Sequence, residues 1–196
     1  MIPHILWEED ISLDLVTKGK HSALSRIAVR IARRSGLDEQ MVLRGLLHRE
    51  FLGSTGIGRG VAIPHALLDV ISLPVASLTR LAQPVDFQGP DDDPVDLVYT
   101  LLWPRSDIPT FLPVLSRMCR LLRVTRIREG LRLARTADEV IAILGIEPRS
   151  TKGAIFTSSY TSPAGHGIVM PEQIGNDQAP LTADSFRWDR VKGTFA

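Results

Sequence analysis

Leu47-His-Arg-Glu-Phe-Leu-Gly-Ser-Thr-Gly-Ile-Gly-Arg-Gly-Val-Ala-Ile-Pro-His65 is the stretch on which the reading of this chain turns. Gly53, Gly56, Gly58 and Gly60 crowd its middle, interleaved with Ser54, Thr55 and Arg59. That texture predicts a loop, not a helix or a regular strand. Glycine-rich loops let backbone N–H groups converge on an anion such as phosphate. The nucleotide patterns do not fit. A P-loop requires Lys and then Ser or Thr after its last glycine, and here Val61 follows Gly60. Gly56-Ile-Gly58-Arg-Gly60 also lacks the G-x-G-x-x-G spacing of dinucleotide sites. The loop leads instead to His65, at the end of the short apolar segment that begins at Val61. Pro64 has no N–H for a ladder, so this segment is expected as an edge strand or a strand end. A neutral imidazole nitrogen is a good nucleophile near neutral pH and forms covalent intermediates. A phosphoryl acceptor also needs donors for the phosphoryl oxygens and a positive charge. Ser54, Thr55, the loop N–H groups and Arg49 are the candidates.

Upstream, Asp38 is placed to cap a helix running to about Arg49 or Glu50, with Val42, Leu43, Leu46 and Leu47 as its apolar face. Before it, Leu24, Ile27, Ala28 and Ile31 line one face of a helix over 21–35, closed by Gly36. Downstream, 75–81 alternates weakly and predicts a strand, and 83–94, with three prolines and Asp91-Asp92-Asp93, predicts a loop. Val95 to Leu102 is β-branched and aromatic and predicts a strand ended by Trp103-Pro104. A helix is expected from about Thr110, so that Pro113 falls in its first turn, with Leu112, Leu115, Met118, Cys119 and Leu122 on one face. Thr125 to Ala134 predicts another helix. Thr136 with Glu139 reads as a capping box for a last one that Gly145 closes. The order predicts one α/β or α+β domain over 1–147 and an irregular tail over 148–196.

The chain has 196 residues, 44% hydrophobic and 23% charged, enough apolar material for a core. Its 23 basic and 22 acidic side chains give a net charge of +1, which provides no general reason to expect nucleic acid or a membrane as partner. The single cysteine, Cys119, excludes an internal disulfide and a cysteine-built zinc site. His4, His21, His48 and His166 share no metal-ligand spacing. The acidic start is unlike a secretory signal, and no apolar run approaches the ~18–20 residues of a membrane span, so a cytoplasmic protein is expected. Arg117, Arg120, Arg123 and Arg126 recur every three residues, with Arg128, Arg132 and Arg135 beyond them. This predicts a solvated basic face or a docking surface for an acidic partner.

Arg49-Glu50, Gly53-Ser-Thr-Gly56, Gly58, Gly60 and Ala62-Ile-Pro-His65 together resemble the signature of the IIA domains of the bacterial sugar phosphotransferase system. The branch is the fructose–mannitol type, which includes the nitrogen-related regulatory IIA proteins. The resemblance spans roughly residues 5–145 and implies a mixed sheet flanked by helices. It implies that His65 accepts a phosphoryl group from an HPr-like phosphohistidine carrier, and the family's essential arginine falls on Arg49. Ser54, Thr55, Gly56 and Gly58 are the expected phosphate-binding positions. No metal or cofactor is implied, because the phosphate arrives activated on a nitrogen. One departure stands out. The family's second histidine, at the start of the helix after the Val95–Leu102 strand, aligns on Phe111, with Thr110 as the neighbouring alternative. No IIB or IIC domain accompanies the sequence, which favours a free-standing regulator signalling through protein partners. The alternative is a degenerate IIA fold that acts by docking alone.

Overall fold

The computed structural model describes residues 5–145; the expected tail, His4 and His166 lie outside the described residues. The elements run β1 (Ile11–Leu15), α1 (Lys20–Ser35), α2 (Glu39–Phe51), β2 (Gly56–Gly58), β3 (Val61–Ala62), β4 (His65–Leu68), β5 (Val75–Val85), β6 (Val95–Pro104), α3 (Ile108–Leu122), α4 (Thr125–Leu133) and α5 (Ala137–Leu144). The strands form one mixed sheet in the order β1-β5-β6-β3-β2, with β4 also paired to β6. β5 runs antiparallel to β6, while β3 and β4 run parallel to it.

β6 organises the molecule. It has β5 on one side and β3 then β4 on the other, and every residue but Asp96 is buried. A strand covered on both faces reads as a nearly continuous apolar run. The period of two decides which core each residue joins. Leu97, Tyr99, Leu101 and Trp103 enter a core shared with Met118 of α3, Leu131 of α4 and Val140 of α5. Val98 and Leu102 enter a second core shared with Leu24 and Ile27 of α1 and Leu46 of α2. Each fully buried Leu or Val contributes about 1.5–3 kcal/mol, so both helical layers are held by the sheet between them.

The helix signals act as read, with local exceptions. Gly36 closes α1 in the left-handed conformation at φ 70°, and Asp38 caps α2 by accepting from Met41 N–H at 2.7 Å. Thr136 caps α5, but Glu139 reaches back to the N–H of Arg135, so the box closes one residue earlier than expected. α3 starts at Ile108 and not Thr110, because a 3-10 turn over Arg105–Asp107 and Pro109 in the first turn set its entry. Pro113 therefore lies inside the helix, on the exposed side. Leu112 also faces out, 61% exposed, and Phe111 takes the buried position expected of it, with Met118 and Leu122. β5 continues to Val85, beyond the predicted end; its register breaks between Arg80 and Val85, and Pro84 sits in that exposed break. The segment 56–62, read as loop and edge, folds into the short β2–β3 hairpin. The arginine series forms no single stripe. α3 ends at Leu122, α4 begins at Thr125, and Arg128 is 4% exposed.

Candidate functional site

Gly45 lies where α2 packs closely on β4. A Cβ there would lie 3.0 Å from the Ala66 Cβ, so a larger residue would press on β4 by a few tenths of an ångström. Arg49 is one helical turn further along α2, and His65 is the neighbour of Ala66 on β4. The Arg49 Nε–H donates to His65 Nε2 at 2.9 Å, and its Nη1 donates to the Gly53 carbonyl at 2.9 Å. On the other side of the ring, His65 Nδ1 lies 2.9 Å from the Ile63 carbonyl. A guanidinium only donates and a carbonyl only accepts, so the proton sits on Nδ1 and the lone pair on Nε2. Burial pushes the His65 pKa below the ordinary 6.5, and the Arg49 charge adds to that; the Ile63 bond and Glu50 pull in the opposite direction. The imidazole is therefore neutral at pH 7, with its nucleophilic nitrogen turned to Arg49.

The other wall of the ring is apolar. Phe111 stands 5.3 Å from His65 between ring centroids, tilted by 49°, and Trp103 backs Phe111 at 5.8 Å. Both offset geometries are favourable for aromatic pairs. The Thr110 hydroxyl bonds to Asp107 and accepts from the Trp103 indole N–H at 3.2 Å. Of Phe111 and Thr110, the two residues expected at the second-histidine position, Phe111 is thus the one in contact with His65, and it brings no donor.

The glycine loop is braced from behind. Glu50 is 8% exposed and accepts from the Thr55 N–H at 3.0 Å and from the Thr55 hydroxyl. Lys20 closes the network with a 3.2 Å ion pair to Glu50 and a bond to the Phe87 carbonyl. The Ser54 hydroxyl donates to that same carbonyl at 2.6 Å and accepts from the Gly56 N–H at 3.1 Å. Both hydroxyls are thus engaged within the protein. Thr55 is nevertheless tied to the histidine segment, because its carbonyl accepts from the Ile63 N–H at 2.9 Å. Gly56 packs against Gly89, 3.0 Å from where a Cβ would stand. Gly58, at φ 87°, leaves room for the Asp91 carboxylate. Arg59 and Gly60 turn the hairpin with φ 60° and 77°, the two positive values that tight two-residue hairpins use.

The structure thus gathers His65, Arg49 and Phe111 at one point, with Ser54, Thr55, Gly56 and Gly58 on the adjoining loop. Lys20 and Glu50 were not singled out as site residues from the sequence. A charged residue in the last turn of an otherwise apolar face, next to Arg49, was the available signal for Glu50. Lys20 carried none. Among the described residues no cluster of three or more His, Cys, Asp or Glu is placed to hold a metal. No helix among them is long and apolar enough to cross a membrane.

Comparison with known proteins points to one family. A family profile described as "Phosphoenolpyruvate-dependent sugar phosphotransferase system, EIIA 2" matches residues 4–145. A nitrogen regulatory protein of Bradyrhizobium diazoefficiens is 37% identical over 147 residues, covering 75% of this chain and 96% of its own length. The crystal structure of the nitrogen regulatory protein IIA-Ntr from Neisseria meningitidis superposes with a TM-score of 0.69 at 36% identity, over 71% of this chain and 96% of that one. A mannitol IIA from Escherichia coli, determined in complex with its phosphorylated IIB, superposes with a TM-score of 0.62 over 71% and 96% of the two chains. At 21% identity, that last likeness speaks for the fold alone.

Proposed function

The chain belongs to the phosphotransferase-system EIIA 2 family, and from that membership we propose that His65 accepts a phosphoryl group from an HPr-like phosphohistidine carrier. The observation that carries the reading is the neutral His65 with its Nε2 lone pair presented to Arg49. Nε2 attacks the phosphorus in line, the Nε2–P bond forms, and the P–N bond to the donor's imidazole breaks. Arg49 releases the lone pair and turns its N–H groups to the phosphoryl oxygens, where a guanidinium fork fits well. Of the backbone N–H groups from Ser54 to Gly58, those of Thr55 and Gly56 join the cradle only by leaving Glu50 and Ser54. The Ser54 and Thr55 hydroxyls join it only by leaving Phe87 and Glu50. The chemistry calls for no metal and no nucleotide.

Exposed apolar side chains border these residues in the chain: Phe51 and Leu52 just after Arg49, and Ile108 and Leu112 on either side of Phe111. They suit a transient protein partner, first the carrier and then the regulatory targets. A cytoplasmic setting fits such partners. A second reading is favoured by Phe111. With an apolar ring where relatives carry a histidine, the protein acts mainly by docking, and phosphotransfer is slow. One experiment separates the two: intact-mass spectrometry after incubation with phosphoenolpyruvate, the general phosphotransferase enzyme and HPr. An acid-labile phosphoryl adduct, absent in His65→Ala, supports the acceptor. No adduct on the wild type with several carriers removes it in favour of docking.

A further inference from the structure

A second cationic cluster lies along the sheet from His65. Gly60 lies beside Asp96 and Leu97 at the start of β6, whereas His65 pairs with Leu101 further along. A cavity of about 340 Å³ opens there, lined by Arg59, Arg128, Arg132, Asp93, Pro94 and Asp96 among others. That volume is at the small end of the range for ligand sites, about 300–1,000 Å³.

The three guanidinium groups differ in how their charge is met. Arg132 is matched, forking onto Asp96 at 2.7 and 2.8 Å while its Nη2 also donates to the Arg59 carbonyl at 2.9 Å. Arg128 is 4% exposed and has no carboxylate partner among the described residues. Its Nη groups donate to the Leu122 and Arg123 carbonyls and to Thr125 Oγ1, and its Nε is buried with no hydrogen-bond partner among those residues. Burial first, then the charges of Arg59 and Arg132, push its pKa down, with Glu129 pulling the other way. Arg59 is exposed at the tip of the hairpin, its backbone fixed by an N–H bond of 2.6 Å to Asp91. Arg128 thus spends its Nη groups on carbonyls at the end of α3 and on Thr125, and its Nε–H stays unmet beside two like charges.

We infer that this cavity binds a phosphate, free or as a small phosphate monoester, between Arg59 and Arg128, with the Arg132–Asp96 pair as its rigid wall. Three lining guanidinium groups against the Asp93 and Asp96 carboxylates leave one net positive charge, and the planar forks fit phosphate oxygens. Asp93 at the lining opposes larger polyanions. The site is separate from the His65 cradle and shares no side chain with it.

The test is an NMR titration of the full chain at pH 7.5 and constant ionic strength, reading backbone amides and arginine Nε–H signals. Inorganic phosphate and glycerol 3-phosphate are the probes. Saturable shifts at Gly60 and at the Arg128 Nε–H are expected. The affinity should fall roughly ten-fold or more in Arg59→Gln, a variant that leaves the buried Arg128 in place. It should be unchanged in Arg105→Gln, whose guanidinium pairs with Asp69 elsewhere on the surface. Tighter glycerol 3-phosphate binding identifies a monoester ligand and equal binding the free ion; both uphold the site. Shifts confined to His65, Arg49 and residues 53–58, shifts that never saturate, or equal affinity in Arg59→Gln would overturn it.

Discussion

His65 stands between two walls built on opposite principles. On the α2 side everything is polar and directional: Arg49 on Nε2, and behind it Glu50 holding Thr55 and Lys20. On the α3 side everything is volume: Phe111 against the ring, Trp103 against Phe111. A hydrogen-bonded wall is sensitive to which group points where, and a packed wall to how much space is filled. Yet the packed wall and the Arg49 charge push the imidazole the same way, against Glu50 and the Ile63 bond. Desolvation lowers its pKa, and so does the cation. The lesson is that a nucleophile can be kept neutral from an apolar side and a cationic side at once, leaving only one side to handle charge.

The comparison predicts a division of labour that mutation can break. The largest effect on folding should come from Phe111→Ala. The side chain is 4% exposed, and removing it should cost about 3–5 kcal/mol in urea unfolding; a cost under about 1 kcal/mol would show that the α3 wall is not packed. Arg49→Gln should do the reverse. Single-turnover phosphorylation of His65 should slow by about 10²–10³-fold, the usual loss for one transition-state donor, with little change in unfolding. If it unfolds the protein instead, the polar wall is structural. Glu50→Gln tests the brace behind it, removing the charge that Lys20 and Thr55 share, for about 1–3 kcal/mol of stability. The smallest effect is in pH. Because the folded His65 pKa lies below the ordinary 6.5, its acceptor activity should persist into more acid conditions than a free imidazole allows. The sign for stability follows: the neutral, buried form favours folding above the unfolded pKa, and that contribution is lost as pH falls below 6.5 toward the folded value. A rate profile with its midpoint above 6.5 would contradict both walls.

Much of the α2 wall was legible, because its residues sit close together in sequence and carry rare types in fixed spacing. Asp38, Gly36 and the apolar positions of α1 and α2 announce their helices through local chemistry. The α3 wall was legible only through alignment, and the face assigned there was turned, since Leu112 points outward and Phe111 inward. Proline-rich entry turns make helix phase hard to read by a residue or two. β1 was missed although Ile11, Leu13 and Leu15 alternate; it is five residues long and kinks at Asp14, where φ is 59°. The β2–β3 hairpin was missed because two- and three-residue strands carry no period. The arginine series misled for a different reason. A three-residue spacing has meaning only on one helix, and the Arg123–Val124 junction divides it between two.

The Ile63 carbonyl has one more consequence. By holding the proton on Nδ1 of the free ring, it would, under the proposed function, also hold it there once the ring bore a phosphoryl group and a positive charge. The transfer from one imidazole to another then proceeds with no proton crossing to or from water. Run in heavy water, it should keep its rate.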